Sequence, residues 1–172
     1  MALHTDLKGT KRLTLFAVLL AVSVVLNLAE GLIPIFNVLP GAKLGIANTV
    51  TMLVMIWFGP FEALLIGSLR SALVGMLSGR LTMLPYGIFG TILSVLSMWM
   101  LKKVLKDKVS MAGLSVVGAF FFNLGQVAVS AWVINNFQMF RYLPVLTLIS
   151  TICGFITGMV AESISKKRMV GD

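Results

Sequence analysis

The sequence predicts an all-α integral membrane protein, a single bundle of six transmembrane helices with both ends in the cytoplasm. Three observations carry that expectation. Of the 172 residues, 58% are hydrophobic and 12% are charged, and the mean hydropathy is +1.00, well outside the soluble range. The apolar residues gather in six runs, and because a helix needs about 20 of them to cross the hydrocarbon core, six crossings use nearly the whole chain. The basic residues fall between those runs, most of them on one side.

The first run, Leu13 to Leu28, follows Lys8, Lys11 and Arg12. It looks like a secretory signal, but no small-x-small cleavage site follows, so it reads as a retained helix. The second run covers about Gly45 to Phe58 and the third about Phe61 to Ser78, parted by the tight break Gly59-Pro60. The fourth spans about Leu84 to Leu101, the fifth about Met111 to Ile134 and the sixth about Tyr142 to Ser163. Short tails, about residues 1–11 and 164–172, complete a single transmembrane domain.

Threading the runs alternately across the membrane puts the N-terminus, the junction of the second and third helices, the loop from Lys102 to Lys108 and the C-terminal tail on one side. That side holds Lys8, Lys11, Arg12, Lys102, Lys103, Lys106, Lys108, Lys166, Lys167 and Arg168, ten of the fourteen basic residues. The other side holds Lys43, Arg80 and Arg141, and Arg70 falls inside the third helix. Lys and Arg beside membrane spans stay in the cytoplasm, so the split predicts a multi-pass plasma-membrane protein with both termini inside. A net charge of +8 does not indicate a nucleic-acid partner, because the cations are dispersed among apolar runs instead of forming a solvated patch. Cys153 is the single cysteine and leaves no internal disulfide.

In lipid, small residues spaced by four mark faces where helix backbones approach closely. The third helix carries Gly67, Ser71, Gly75 and Gly79, the first Ala17 and Ala21, and the sixth Gly154 and Gly158. Polar side chains at depth are costly and so point to function. Arg70 lies nine residues into the third run, roughly 13 Å at 1.5 Å per residue, near the midplane. Asn123 and Gln126 share a face of the fifth helix at similar depth, and Asn27 and Asn48 sit toward the outer ends of the first two helices. The six acids are Asp6, Glu30, Glu62, Asp107, Glu162 and Asp172. None is expected at the depth of Arg70, with Glu30 just beyond the outer end of the first helix, so the guanidinium either awaits a ligand or bonds helix-terminal carbonyls.

On the outer side Lys43, Arg80 and Arg141 face only Glu30, a field that would favour an anionic ligand if the helices converge there on a cavity. Helix-end anchoring is the alternative reading. Tyr86, Trp132, Phe137, Phe140 and Tyr142 suit either an apolar ligand pocket or the interfacial aromatic belt. The connection from Glu30 to Lys43 contains Pro34 and Pro40 and stays apolar, which suits a lid over an outward pocket or a segment packed back against the bundle. No phosphate-binding Gly-rich loop occurs, so coupling to ATP would need a partner. The single His4 lies in the N-terminal tail, and no cluster has metal-ligand spacing. An enzyme, a metal site or a bound cofactor is therefore not expected, and no helix has the continuous polar stripe of a channel.

The stretch Glu30-Gly-Leu-Ile-Pro34, followed by Pro40-Gly-Ala-Lys-Leu-Gly-Ile-Ala-Asn48, resembles the signature of the membrane family labelled heptaprenyl diphosphate synthase component I, also called the Gx transporter family. That family is similar to the substrate-binding S-components of energy-coupling factor (ECF) transporters, whose first helix carries an Ala-x-x-x-Ala docking pattern like Ala17-Val-Leu-Leu-Ala21. The resemblance covers the chain in length and six-helix plan. It implies a subunit that captures a small molecule of the vitamin, isoprenoid or quinone-precursor class from outside, then joins a transmembrane coupling subunit and two ATPases to release it inward. Ligand contacts are expected from Lys43, Asn48, Arg70, Arg80, Asn123 and Gln126, with Glu30, Tyr86 and Trp132 as further candidates, and Ala17 and Ala21 would meet the coupling subunit. A membrane scaffold for a separate polyprenyl diphosphate synthase or quinone-pathway enzyme is the alternative that the label implies.

Overall fold

The computed structural model describes residues 9–32 and 46–170, apart from the side chains of Asp107 and residues 165–170. Lys43 and most of the expected lid connection lie outside the described residues. Six α-helices follow one another: α1 (Thr10–Gly31), α2 (Ile46–Trp57), α3 (Pro60–Leu77), α4 (Leu84–Leu105), α5 (Met111–Ile134) and α6 (Leu143–Val170). Short 3₁₀ turns at Leu81–Met83, Lys106–Lys108 and Phe137–Tyr142 bridge the later ones. Among the described residues there is no strand. Five of the helices are long and apolar enough to span a membrane, so this is a multi-pass helical membrane bundle.

The second helix stands apart from the other five. Its described part, Ile46–Trp57, lies within the run Gly45 to Phe58 and has 12 residues, about 18 Å at 1.5 Å per residue. Lipid does not surround it. Ten of its residues are buried, and it packs against all five other helices, which makes it the axis of the bundle. Val54, Met52, Leu53 and Met55 on α2 meet Ile66 and Ala63 of α3, Val95 and Met98 of α4 and Leu114 of α5 in one core cluster. The outer surface is apolar as well, with Val25, Leu65, Phe89, Leu148 and Phe155 exposed, as expected where the solvent is lipid.

Local signals explain the helix ends. Gly59 stands at φ 126 before Pro60, a backbone conformation that a side chain would strain, and Pro at the first position lets α3 start without losing a needed donor. The Ser110 hydroxyl accepts from the backbone N–H of Gly113 and caps α5. At the far end of α5, Asn135 takes the left-handed conformation of a helix stop. The α6 helix runs on to Val170, past the apolar run that ends near Ser163, so the expected C-terminal tail begins as helix.

Close approach through small residues holds the long helices together. A Cβ on Gly125 would lie 2.9 Å from the Cα of Gly90, and one on Gly154 would lie 3.0 Å from the Cα of Val116. Gly158 sits still closer to Ala112. The small-residue row of α3 packs on α4, Gly67 against Thr91, Ser71 against Gly87, and Gly75 beside Leu84. Gly79 does not continue it. At φ +65 with open space around it, it forms the turn after α3 instead. Ala17 and Ala21 are exposed on the outward face of α1.

One ion pair ties down the end of the bundle where α1 and α3 begin. Arg12 Nη2 donates to Glu62 Oε1 at 2.8 Å, with the guanidinium 5.4 Å from the Phe16 ring centroid and 5.9 Å from that of Phe58. The C-terminal turn of α4, with Lys102 and Lys103, closes on the α2–α3 junction at this same end. Arg80 and the exposed Arg141 mark the opposite end.

Candidate functional site

The first described turn of α2 is buried, and a helix start presents N–H groups with no partner in the helix itself. Charge gathers there. Glu30, on the last turn of α1 and 3% exposed, accepts through Oε1 from the Ala47 N–H at 3.1 Å. A carboxylate at a helix N-terminus complements the positive end of the helix dipole. The Ala47 carbonyl accepts from Arg70 Nη1 at 2.8 Å, and the same nitrogen donates to Thr51 Oγ1 at 3.1 Å. Arg70 Nη2 donates to Asn48 Oδ1 at 3.2 Å, and the guanidinium lies 5.9 Å from the Phe122 ring centroid of α5.

Arg70, at 1% exposure, is the largest fully buried side chain among the described residues. Although residue counts put no acid at its depth, Glu30 comes near it through Ala47, to which both side chains bond. Counting residues from the Arg12–Glu62 pair places Glu30 about 27 Å along α1 and Arg70 about 12 Å along α3 at 1.5 Å per residue. Ala47 of α2 bridges that difference, because the carboxylate and the guanidinium each bond one end of it.

From this pair a polar layer crosses the bundle. Asn48 and Thr49 on α2, Thr91 and Ser94 on α4, and Asn123, Gln126 and Ser130 on α5 are all buried. Asn123 Nδ2 makes a long contact of 3.5 Å to the Leu146 carbonyl of α6. Among the described residues, no hydrogen-bond partner is present for Arg70 Nε, Asn48 Nδ2, Thr49 Oγ1, Thr91 Oγ1, Ser94 Oγ, Asn123 Oδ1, Gln126 Oε1 or Ser130 Oγ. Each such atom costs about 1–3 kcal/mol when left unsatisfied away from water. Elsewhere the polar contacts close on themselves: Ser115 and Thr157 share a hydrogen bond of 3.0 Å between α5 and α6.

Of the residues singled out in the sequence, Glu30, Asn48 and Arg70 come together, and Asn123 and Gln126 lie in the same buried layer. Tyr86 is buried on α4. Arg80 is exposed past the end of α3, and Trp132 is 81% exposed, which places its ring on the outer surface, where an interfacial belt would lie. The sequence reading missed Thr49, Thr51, Thr91, Ser94, Ser130 and Phe122. Hydroxyls raise no alarm in an apolar run, since a helix can satisfy them on its own carbonyls, as Ser23 does on Leu20 and Thr147 on Leu143.

The fold and this layer define a class: a helical membrane protein with a cluster of buried polar groups in its interior. A family model named heptaprenyl diphosphate synthase component I matches residues 19–164, and the chain belongs to that family. The family is thus named for a component of a heptaprenyl diphosphate synthase. No curated protein and no solved structure matches the chain.

Proposed function

We propose that this chain is the substrate-binding subunit of an ECF-type uptake transporter, taking up a small amphipathic molecule of the vitamin, isoprenoid or quinone-precursor class. The observation that supports this reading is the row of buried hydroxyl and amide atoms without protein partners among the described residues. A ligand with a hydrogen-bonding end would satisfy them, and Phe122 and Tyr86 offer apolar surface for its body. Glu30 offsets the charge of Arg70, so the polar end need not be anionic. Under this reading the basic end of the bundle faces the cytoplasm of the plasma membrane. The exposed Ala17 and Ala21 would meet a coupling subunit that works with two ATPases.

Native mass spectrometry of protein purified in mild detergent tests the reading, with the wild type expected to retain a small molecule from the cell. Replacing Asn123 and Gln126 together by Leu should abolish retention while the helical content stays unchanged. Equal retention by that variant would sink the assignment.

A second reading rests on the family's name: a membrane scaffold holding a soluble prenyl diphosphate synthase at its lipid substrate. In that case the polar layer only stitches helices together, and the cationic end is the working surface.

A further inference from the structure

We propose that a groove at the basic end of the bundle is a seat for one anionic phospholipid, its phosphate at two lysines of α4 and its chain against α2. The groove holds about 310 Å³ and is lined by Met55, Ile56, Phe58, Gly59, Pro60, Trp99, Lys102 and Lys103. Its wall is apolar and its only charges are the two lysines, a combination that suits an amphiphile with a negative head better than a soluble anion or an acidic peptide. The break at Gly59-Pro60, where α2 ends and α3 begins, forms part of its wall.

Two further features favour a lipid. Lys102 and Lys103 occupy the last turn of α4, near the end of a span, where phospholipid phosphates lie and where long basic side chains direct their heads. Lys103 Nζ lies 5.0 Å from the centroid of the Trp99 ring, which fixes one ammonium over an aromatic of the kind found at membrane interfaces. Glu62 places a carboxylate oxygen 3.1 Å from where a Cβ on Gly59 would lie, and its other oxygen is held by Arg12 at 2.8 Å. Anionic lipids of the leaflet would reach the groove from the side, at high local concentration. The seat would also steady the α2–α3 junction on which the axial helix depends, and it operates whether the chain transports or scaffolds.

The experiment is native mass spectrometry of the full chain in detergent, titrated with dioleoyl phosphatidylglycerol or with dioleoyl phosphatidylcholine of the same chains. One phosphatidylglycerol should be retained in clear preference. Lys102→Gln with Lys103→Gln should weaken that adduct about 30-fold, at about fivefold per lysine near a charged surface. Lys106→Gln with Lys108→Gln removes as much charge outside the groove and should change binding by less than about fivefold. Equal retention of both lipids, or equal losses from the two double variants, would overturn the proposal. So would displacement of phosphatidylglycerol by inorganic phosphate alone, or binding of farnesyl diphosphate where phosphatidylglycerol fails.

Discussion

Replacing Arg70 by Met removes the one cation that the described residues place in the buried layer and withdraws three hydrogen bonds, to the Ala47 carbonyl, Thr51 and Asn48. It also takes away a positive charge that acts on the buried Glu30 carboxylate. Hydrogen bonds between transmembrane helices are worth only about 0.6 kcal/mol on average, so three of them account for about 2 kcal/mol. The lost electrostatic interaction with Glu30 adds to that, so Arg70→Met should destabilise by about 2 kcal/mol or more. Glu30→Gln keeps an oxygen for the Ala47 N–H and removes only the charge, which should cost about 2 kcal/mol. Because the double variant removes both charges, it should fall short of the sum by about 2 kcal/mol, within the range of coupled neighbours. Unfolding in mixed micelles with rising dodecyl sulfate, followed by far-ultraviolet circular dichroism, measures all three. Additivity within about 0.5 kcal/mol would refute the pairing of Arg70 with Glu30 across Ala47.

Other variants test separate parts of the structure. Gly158→Ala forces a Cβ onto the Ala112 backbone and should destabilise by about 1–3 kcal/mol in the same assay, whereas Gly31→Ala, with nothing within 4 Å, should be neutral or slightly stabilising. Lys106 sits at φ 50 and ψ −120 after α4, so Lys106→Gly should stabilise by about 1 kcal/mol, read as a raised thermal midpoint. Ala17→Leu with Ala21→Leu changes only the outward face of α1; folding and small-molecule retention should be unchanged while uptake in cells is lost, and normal uptake would remove the docking role of that face.

Much of the bundle was legible because lipid leaves little choice: apolar runs set the helices, and the glycine spacings of α3 and α6 marked real crossings. What escaped follows from what hydropathy cannot measure. The run Gly45 to Phe58 is as apolar as a spanning helix, and nothing in it says that protein instead of lipid surrounds α2. The approach of Glu30 to Arg70 escaped because it depends on Ala47 of α2 packing between α1 and α3, which residue counts along either helix do not show. Gly79 has the spacing of a packing residue but the backbone of a turn. Asn48, Arg70, Asn123 and Gln126 stood out as polar groups in apolar runs, whereas Thr51 and Thr91 did not, because hydroxyls pass unnoticed in membrane helices.

Affinity purification of the tagged chain from native membranes in mild detergent bears most directly on the proposed role. A transmembrane coupling subunit and two ATPases eluting with it, in constant proportion, is the result predicted for a substrate-binding subunit. Elution with a prenyl diphosphate synthase and no ATPase would contradict that role and favour the scaffold.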